Sequence, residues 1–210
     1  MAEEIKYTPQ TWPEHPETAN LEGKNKFLGF WLFLGGETVL FASLFATYLA
    51  LKDKGPEGMT FTTQSLFSEG LPLVFLMTML LLTSSLTSVY AMYHMKNFNF
   101  RAMQTWMAIT VLLGLGFLAL EIYEFYHYVH NGFYYSQSAF SSAFFTLVGT
   151  HGLHVVIGLG WIILLMLRNA KRGLSVYNAQ KYYTASLYWH FIDVVWVFIF
   201  TVVYLMGVMG

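Results

Sequence analysis

The chain has 210 residues, of which 56% are hydrophobic, 19% aromatic and only 11% charged. Soluble domains carry about 25% charged residues, so this composition indicates a membrane protein. The 11 Lys and Arg are balanced by 12 Asp and Glu, which argues against a nucleic-acid partner, and the lack of cysteine excludes a disulfide framework, a thiolate metal site and a cysteine nucleophile.

Residues 1–26 are polar, contain three prolines, and predict a mostly irregular cytoplasmic tail with no cleavable signal peptide. Five later stretches have the roughly 20 apolar residues that a helix needs to cross a bilayer. Only helices fit them, because an unpaired backbone group in lipid costs several kcal/mol. We therefore predict an all-α, five-helix transmembrane domain over residues 27–210. Its spans lie at about 27–51, 71–95 (with Pro72 in the first turn), 102–126, 139–167 and 183–209.

The distribution of basic residues predicts the orientation of these spans. Nine of the eleven Lys and Arg lie in the tail and in the second and fourth loops, and the other two, Lys52 and Lys54, lie on the opposite side. Cytoplasmic loops are enriched in basic residues. We expect the N-terminus inside and the C-terminus outside.

Five ionisable side chains fall within three of the predicted spans. Glu37 lies ten residues into the first span, about 15 Å deep at a rise of about 1.5 Å per residue. The fourth span contributes His151 and His154, and the last contributes His190 and Asp193. Members of each pair are three residues apart and share a helical face. The five could form one polar layer in the inner to middle part of the bilayer.

Each of these residues also has a structural interpretation. Hydrogen bonds between neighbouring helices are the favoured explanation of His190 and Asp193, whereas packing and function explain His151 and His154 equally well. Glu37 is harder to explain, because its own span offers no partner. Either a neighbouring helix supplies one, or the carboxyl is protonated. A buried acid of this kind is a functional candidate.

Two further acids, Glu121 and Glu124, are predicted to approach the outer surface. Glu124 and His127 form a Glu-x-x-His half-motif, but a di-iron bundle needs two copies and two further carboxylates. Only one copy is present, and Glu124 lies among tyrosines of the kind that are typical of the membrane interface, so we expect a surface position for it. Three other classes of membrane protein fit this sequence less well. A haem cytochrome needs histidines on facing helices, whereas His151 and His154 share one helix face. A channel needs polar residues through the full thickness of the membrane, and a transporter more often shows sequence repeats and interrupted helices.

Three motifs occur in a recognisable order. They are Phe30-Trp-Leu-Phe-Leu-Gly-Gly-Glu-Thr-Val-Leu-Phe41, Thr150-His-Gly-Leu-His-Val-Val-Ile-Gly158 and Tyr188-Trp-His-Phe-Ile-Asp-Val-Val-Trp196. Together they resemble subunit III of haem–copper terminal oxidases, over nearly the whole chain from about Lys24. The best resemblance is to the short bacterial form found in cytochrome c oxidases, which lacks the first two of the family's seven helices.

This resemblance implies a subunit of a proton-pumping oxidase in the bacterial plasma membrane. Glu37 matches the family's buried, carbodiimide-reactive glutamate, and the other two motifs, which include His151, His154, His190, Asp193 and Trp196, match its buried polar layer. Family members carry no haem or copper; these cofactors are expected in partner subunits. The implied partners are subunit I as main contact, subunits II and IV, and bound phospholipid. The family's role is to stabilise subunit I and to support proton uptake.

Some alternatives stay open at this point. Half of the family's lipid cleft is formed by the missing helix pair, so its lipid sites do not transfer directly to this chain. Quinol oxidases share the short form, and the sequence favours cytochrome c only weakly as the electron donor. A membrane di-iron enzyme and a transporter remain the competitors from other classes.

Overall fold

The computed structural model describes residues 8–52, 63–170 and 173–206, and all regular secondary structure in these ranges is helical. A short 3₁₀ turn at Pro16–Thr18 precedes five long helices, and the fifth continues into a π-helical segment at Phe200–Leu205. All five are long and apolar enough to cross a membrane. The helices are α1 (Leu21–Leu51), α2 (Thr63–Lys96), α3 (Phe100–His130), α4 (Ala139–Asn169) and α5 (Val176–Ile199).

The prediction of five membrane-length helices is confirmed, and the helices extend beyond the apolar stretches. Helix α1 begins at Leu21, so residues 21–26 of the predicted tail are helical. Helix α2 begins at Thr63, which places Pro72 in its interior and not in its first turn as predicted. Hydropathy detects only the apolar part of a helix, whereas polar turns continue into water. Residues 207–209 of the last predicted span lie outside the described ranges.

Side chains next to the helix starts explain where four of the helices begin. An Asn or Ser at each N-cap accepts a hydrogen bond from a backbone N–H of the first turn, which satisfies a donor that has no partner within the helix. At α4 the cap is reciprocal, because Ser138 and Ser141 each bond the other's backbone N–H. The other three caps are Asn20 for α1, Asn99 for α3 and Ser175 for α5.

Helix α5 lies at the centre of the bundle, in contact with α1, α2 and α4, while α3 packs along α2 and also contacts α4. Its Trp189 is fully buried between two glycines of neighbouring helices. A Cβ added to Gly114 of α3 would lie 2.8 Å from the indole, and one added to Gly158 of α4 would lie 3.2 Å from it. These glycines let the helices approach closely around a large side chain.

Helix α1 is the most exposed of the five. It packs against α4 and α5, but its outer face presents large apolar side chains, including Leu28 (63% exposed), Leu32 (73%) and Val39 (70%). Apolar surface of this extent requires lipid or another protein to cover it. The bundle is therefore built for a membrane.

Candidate functional site

Glu37 has a partner on a neighbouring helix. Its Oε2 lies 3.0 Å from Nε2 of His154 on α4, and both side chains are largely buried. The other ring nitrogen, Nδ1, lies 2.7 Å from the carbonyl oxygen of Thr150 and therefore donates to it. The contact between Glu37 and His154 then needs one proton, carried either by the carboxyl or by Nε2. The structure thus shows the first of the two alternatives for Glu37, a partner from another helix.

His151 lies one turn from His154 but has different surroundings. Its ring is fully buried, 6.0 Å from the ring of Phe117 and 5.1 Å from that of Trp196, measured between centroids. Neither ring nitrogen has a hydrogen-bond partner among the described residues. The structure therefore places His151 in an aromatic cluster and does not pair it with Glu37.

His190 joins α5 to α2 through hydroxyl groups. Its Nδ1 lies 2.7 Å from Oγ of Ser85, and its Nε2 lies 3.4 Å from Oγ of Ser186. The Ser186 hydroxyl lies in turn 2.7 Å from that of Ser88. These four side chains form a continuous hydrogen-bonded chain between the two helices.

Asp193 lies one turn further along α5 and is 4% exposed. Neither carboxyl oxygen has a hydrogen-bond partner among the described residues, although the Ser85 hydroxyl lies beside the carboxyl without meeting hydrogen-bond geometry. The five ionisable residues therefore do not form a single network. Glu37 and His154 are bonded to each other, and the other three have separate environments.

A row of hydroxyl side chains on α2 supplies the bonds that hold α3 and α5. The indole N–H of Trp196 donates to Thr78 Oγ1 at 3.0 Å, and that of Trp189 donates to Ser84 Oγ at the same distance. Thr87 Oγ1 lies 2.8 Å from that of Thr110 on α3. Most of this row is visible in the sequence as the run Thr83-Ser-Ser-Leu-Thr-Ser88, and Thr78 precedes that run on the same helix.

The expectation of a surface position for Glu124 is wrong. Glu121 and Glu124 are only 3% and 2% exposed. Glu124 accepts hydrogen bonds from the hydroxyls of Tyr128 (2.8 Å) and Tyr204 (3.2 Å), while the Glu121 carboxyl packs against Gly152. Tyr204 belongs to the π-helical segment, which the sequence did not indicate.

The half-motif does not form a metal site with its own histidine. The His127 ring bonds the side chain of Asn131 at 2.9 Å, whereas Glu124 bonds tyrosines. Among the residues that the structure describes, no three His, Asp or Glu side chains converge to hold a metal ion.

A groove of about 360 Å³ lies where α1, α4 and α5 meet. Phe30, Phe33 and Trp161 form its apolar wall. Lys26 and Lys181 line it as well, and their ammonium groups lie 4.8 and 4.0 Å from the centroid of the Tyr177 ring. Lys26 also forms an ion pair with Glu22 of its own helix, so one of the two cations already has a carboxylate partner.

Comparisons with known proteins agree with the motifs. The family model described as Cytochrome c oxidase subunit III matches residues 14–208. Cytochrome c oxidase subunit 3 of Bacillus sp. (strain PS3) is 71% identical, and that of Bacillus subtilis (strain 168) is 67% identical, each over 100% of both chains. Quinol oxidase subunit 3 of Bacillus subtilis (strain 168) is 50% identical over 90% of each chain.

Proposed function

We propose a role for this chain from one premise: it belongs to the cytochrome c oxidase subunit III family, and it is therefore a subunit of a haem–copper oxidase. The electron donor of its complex is cytochrome c. The observation that carries this choice is the difference in identity, because the cytochrome c oxidase relatives are 71% and 67% identical and the quinol oxidase relative 50%. A quinol oxidase remains the second candidate, since its subunit 3 also matches over most of the chain.

The chain acts in this complex as a structural subunit without a redox centre of its own. Haem and copper reside in partner subunits. The exposed apolar face of α1, which includes Leu28, Leu32 and Val39, is available to lipid or to subunit I, the expected main contact. Subunits II and IV are the further partners. The role is to stabilise subunit I and to support its proton uptake.

The complex lies in a bacterial plasma membrane, with the N-terminus of this chain inside and its C-terminus outside. The nine-to-two distribution of Lys and Arg supports this orientation. The α1–α4–α5 groove with Lys26 and Lys181 would then face the inner leaflet. We place an anionic phospholipid there, with its phosphate at the ammonium group of Lys181, since Lys26 is already paired with Glu22, and with one acyl chain along the apolar wall of the groove.

Affinity purification through a C-terminal tag, followed by a reduced-minus-oxidised optical spectrum, tests the assignment. Haem a bands together with a larger partner chain and a copper-containing subunit II are expected. A partner complex that oxidises quinol and lacks copper in subunit II would support the second candidate. A colourless, solitary chain from cells that contain the oxidase would contradict both.

The lipid site has its own test in the purified complex. Lys181→Gln should lower the number of anionic phospholipids retained per complex, because it removes one of the two groove cations. Lys96→Gln is the matched control, since Lys96 lies at the end of α2 and does not line this groove. Equal lipid content in both variants would contradict the site.

A further inference from the structure

A second groove, of about 350 Å³, runs between α2 and α5. Lys96, Tyr93 and Tyr183 line it near the helix ends, and Ser186 and His190 line it deeper in the bundle. His190 lies seven residues along α5 from Tyr183, a rise of about 10 Å. The groove therefore connects a cationic end of the bundle with a histidine inside the membrane-spanning region.

The groove meets the hydrogen-bonded chain of hydroxyls at its deep end. Nε2 of His190 faces Ser186, which lines the groove, and Nδ1 bonds Ser85 at 2.7 Å. An imidazole can accept a proton on one nitrogen and release one from the other, and a hydroxyl can do both on a single oxygen. Ser186, His190 and Ser85 therefore form a chain along which a proton can move.

Asp193 lies at the far end of this chain. Its carboxyl is 4% exposed, has no hydrogen-bond partner among the described residues, and has the Ser85 hydroxyl beside it. A carboxylate buried without a partner or a cation is costly, so a proton stabilises it. The hydrogen-bonded chain thus ends beside a carboxyl that is stabilised by a proton and that has no hydrogen-bond partner among the described residues.

We propose that the α2–α5 groove admits water to His190, and that His190 and Ser85 load a proton onto Asp193. In each transfer His190 accepts a proton at Nε2 and releases one from Nδ1 to the Ser85 oxygen. The Ser85 hydroxyl, which lies beside the Asp193 carboxyl, then rotates towards it and gives its own proton to the carboxylate. The reverse sequence unloads the site. No bond other than those to the moving protons changes.

Among the described residues, the other titratable side chains that line the groove lie towards its mouth. Lys96 and Tyr93 of α2 and Tyr183 of α5 line the groove towards its mouth, and Glu17 of the N-terminal turn faces Tyr183. On α4, His154 is bonded to Glu37. The proposed proton path uses residues of this chain alone, so it is the same whether the complex oxidises cytochrome c or quinol.

Infrared spectroscopy of the assembled oxidase tests the inference. The C=O stretching band of a protonated Asp193 is identified as the band that Asp193→Asn removes. On transfer to D₂O this band should shift rapidly in the parent complex. In His190→Asn, which keeps a nitrogen near Ser85 but cannot relay a proton, exchange should be slower by about tenfold or more.

Two further variants separate proton access from structural damage. Val89→Trp places an indole at the side of the groove without replacing a residue of the hydrogen-bonded chain, and it should slow exchange as well. Ser84→Ala removes a buried hydroxyl of the same α2 row that lies outside the chain, and it should leave the rate unchanged. The proposal is overturned if Asp193→Asn removes no carboxylic acid band. It is also overturned if the band exchanges as fast in His190→Asn and in Val89→Trp as it does in the parent complex.

Discussion

Gly114 is the position where a single added methyl group gives the sharpest test of the packing. In Gly114→Ala the new Cβ would lie 2.8 Å from Leu159 Cδ2 and 2.8 to 2.9 Å from two ring carbons of Trp189. Carbon atoms in contact are ordinarily about 3.5–4.0 Å apart, so three atoms would each overlap by roughly 1 Å. Trp189 cannot move aside easily, because its indole is fully buried and donates to Ser84.

Overpacking of a well-packed core costs about 1–3 kcal/mol, which for a chain of this length lowers the melting temperature by roughly 2–4 °C per kcal/mol. We expect a loss of about 2–12 °C in thermal unfolding of the detergent-purified complex. Gly116→Ala is the matched control on the same helix, since its Cβ would meet only Leu80 Cδ1, at 3.8 Å. It should keep the melting temperature or raise it, because alanine favours helix. Equal melting temperatures for the two variants would refute the close approach of α3 and α5.

Two further predictions concern the polar contacts. Thr78→Val leaves the buried indole N–H of Trp196 without its acceptor and should cost about 1–3 kcal/mol of stability, measured by thermal unfolding. Thr83→Val is the control, because that exposed hydroxyl bonds only its own helix. Equal losses of stability in the two variants would contradict the role of the Trp196–Thr78 hydrogen bond. Glu37→Gln should keep the complex assembled, because an amide can still bond His154, and should abolish labelling by a hydrophobic carbodiimide; labelling that persists at the parental level would show that another carboxyl reacts.

The helices could be predicted from the sequence because crossing a bilayer imposes a length and a composition on each segment. The same signal could not locate the helix ends. Thr63–Gly70 is too polar to be read as part of a membrane span, yet it forms the first turns of α2 and brings Pro72 into the helix interior. Outside the hydrocarbon, water satisfies polar side chains and a helix can continue at little cost.

The sequence identifies the candidate residues by their depth in the membrane, but it does not identify the side chains that contact them. Depth follows from counting residues along one helix, whereas a contact depends on the rotation and packing of two helices. Glu37 illustrates this limit: the sequence leaves a partner from another helix and a protonated carboxyl as alternatives, and only the packing of α1 on α4 shows that His154 is a partner. For Glu124 the tyrosines nearby in sequence suggested a membrane surface, but Tyr128 and Tyr204 instead donate to its carboxyl inside the bundle.

The buried acids of this protein differ in how their charge is stabilised, and that difference indicates where protons can bind. Glu124 has two hydroxyl donors, and Glu37 shares one proton with His154, so the contacts that stabilise both are present within the chain. Asp193 and Glu121 have no hydrogen-bond partner among the described residues. Of these two, Asp193 adjoins a hydroxyl–imidazole chain that reaches a groove, whereas Glu121 packs against the backbone of Gly152. A proton that binds and leaves needs both a stabilising site and a path, and of these four acids Asp193 is the one that combines the two.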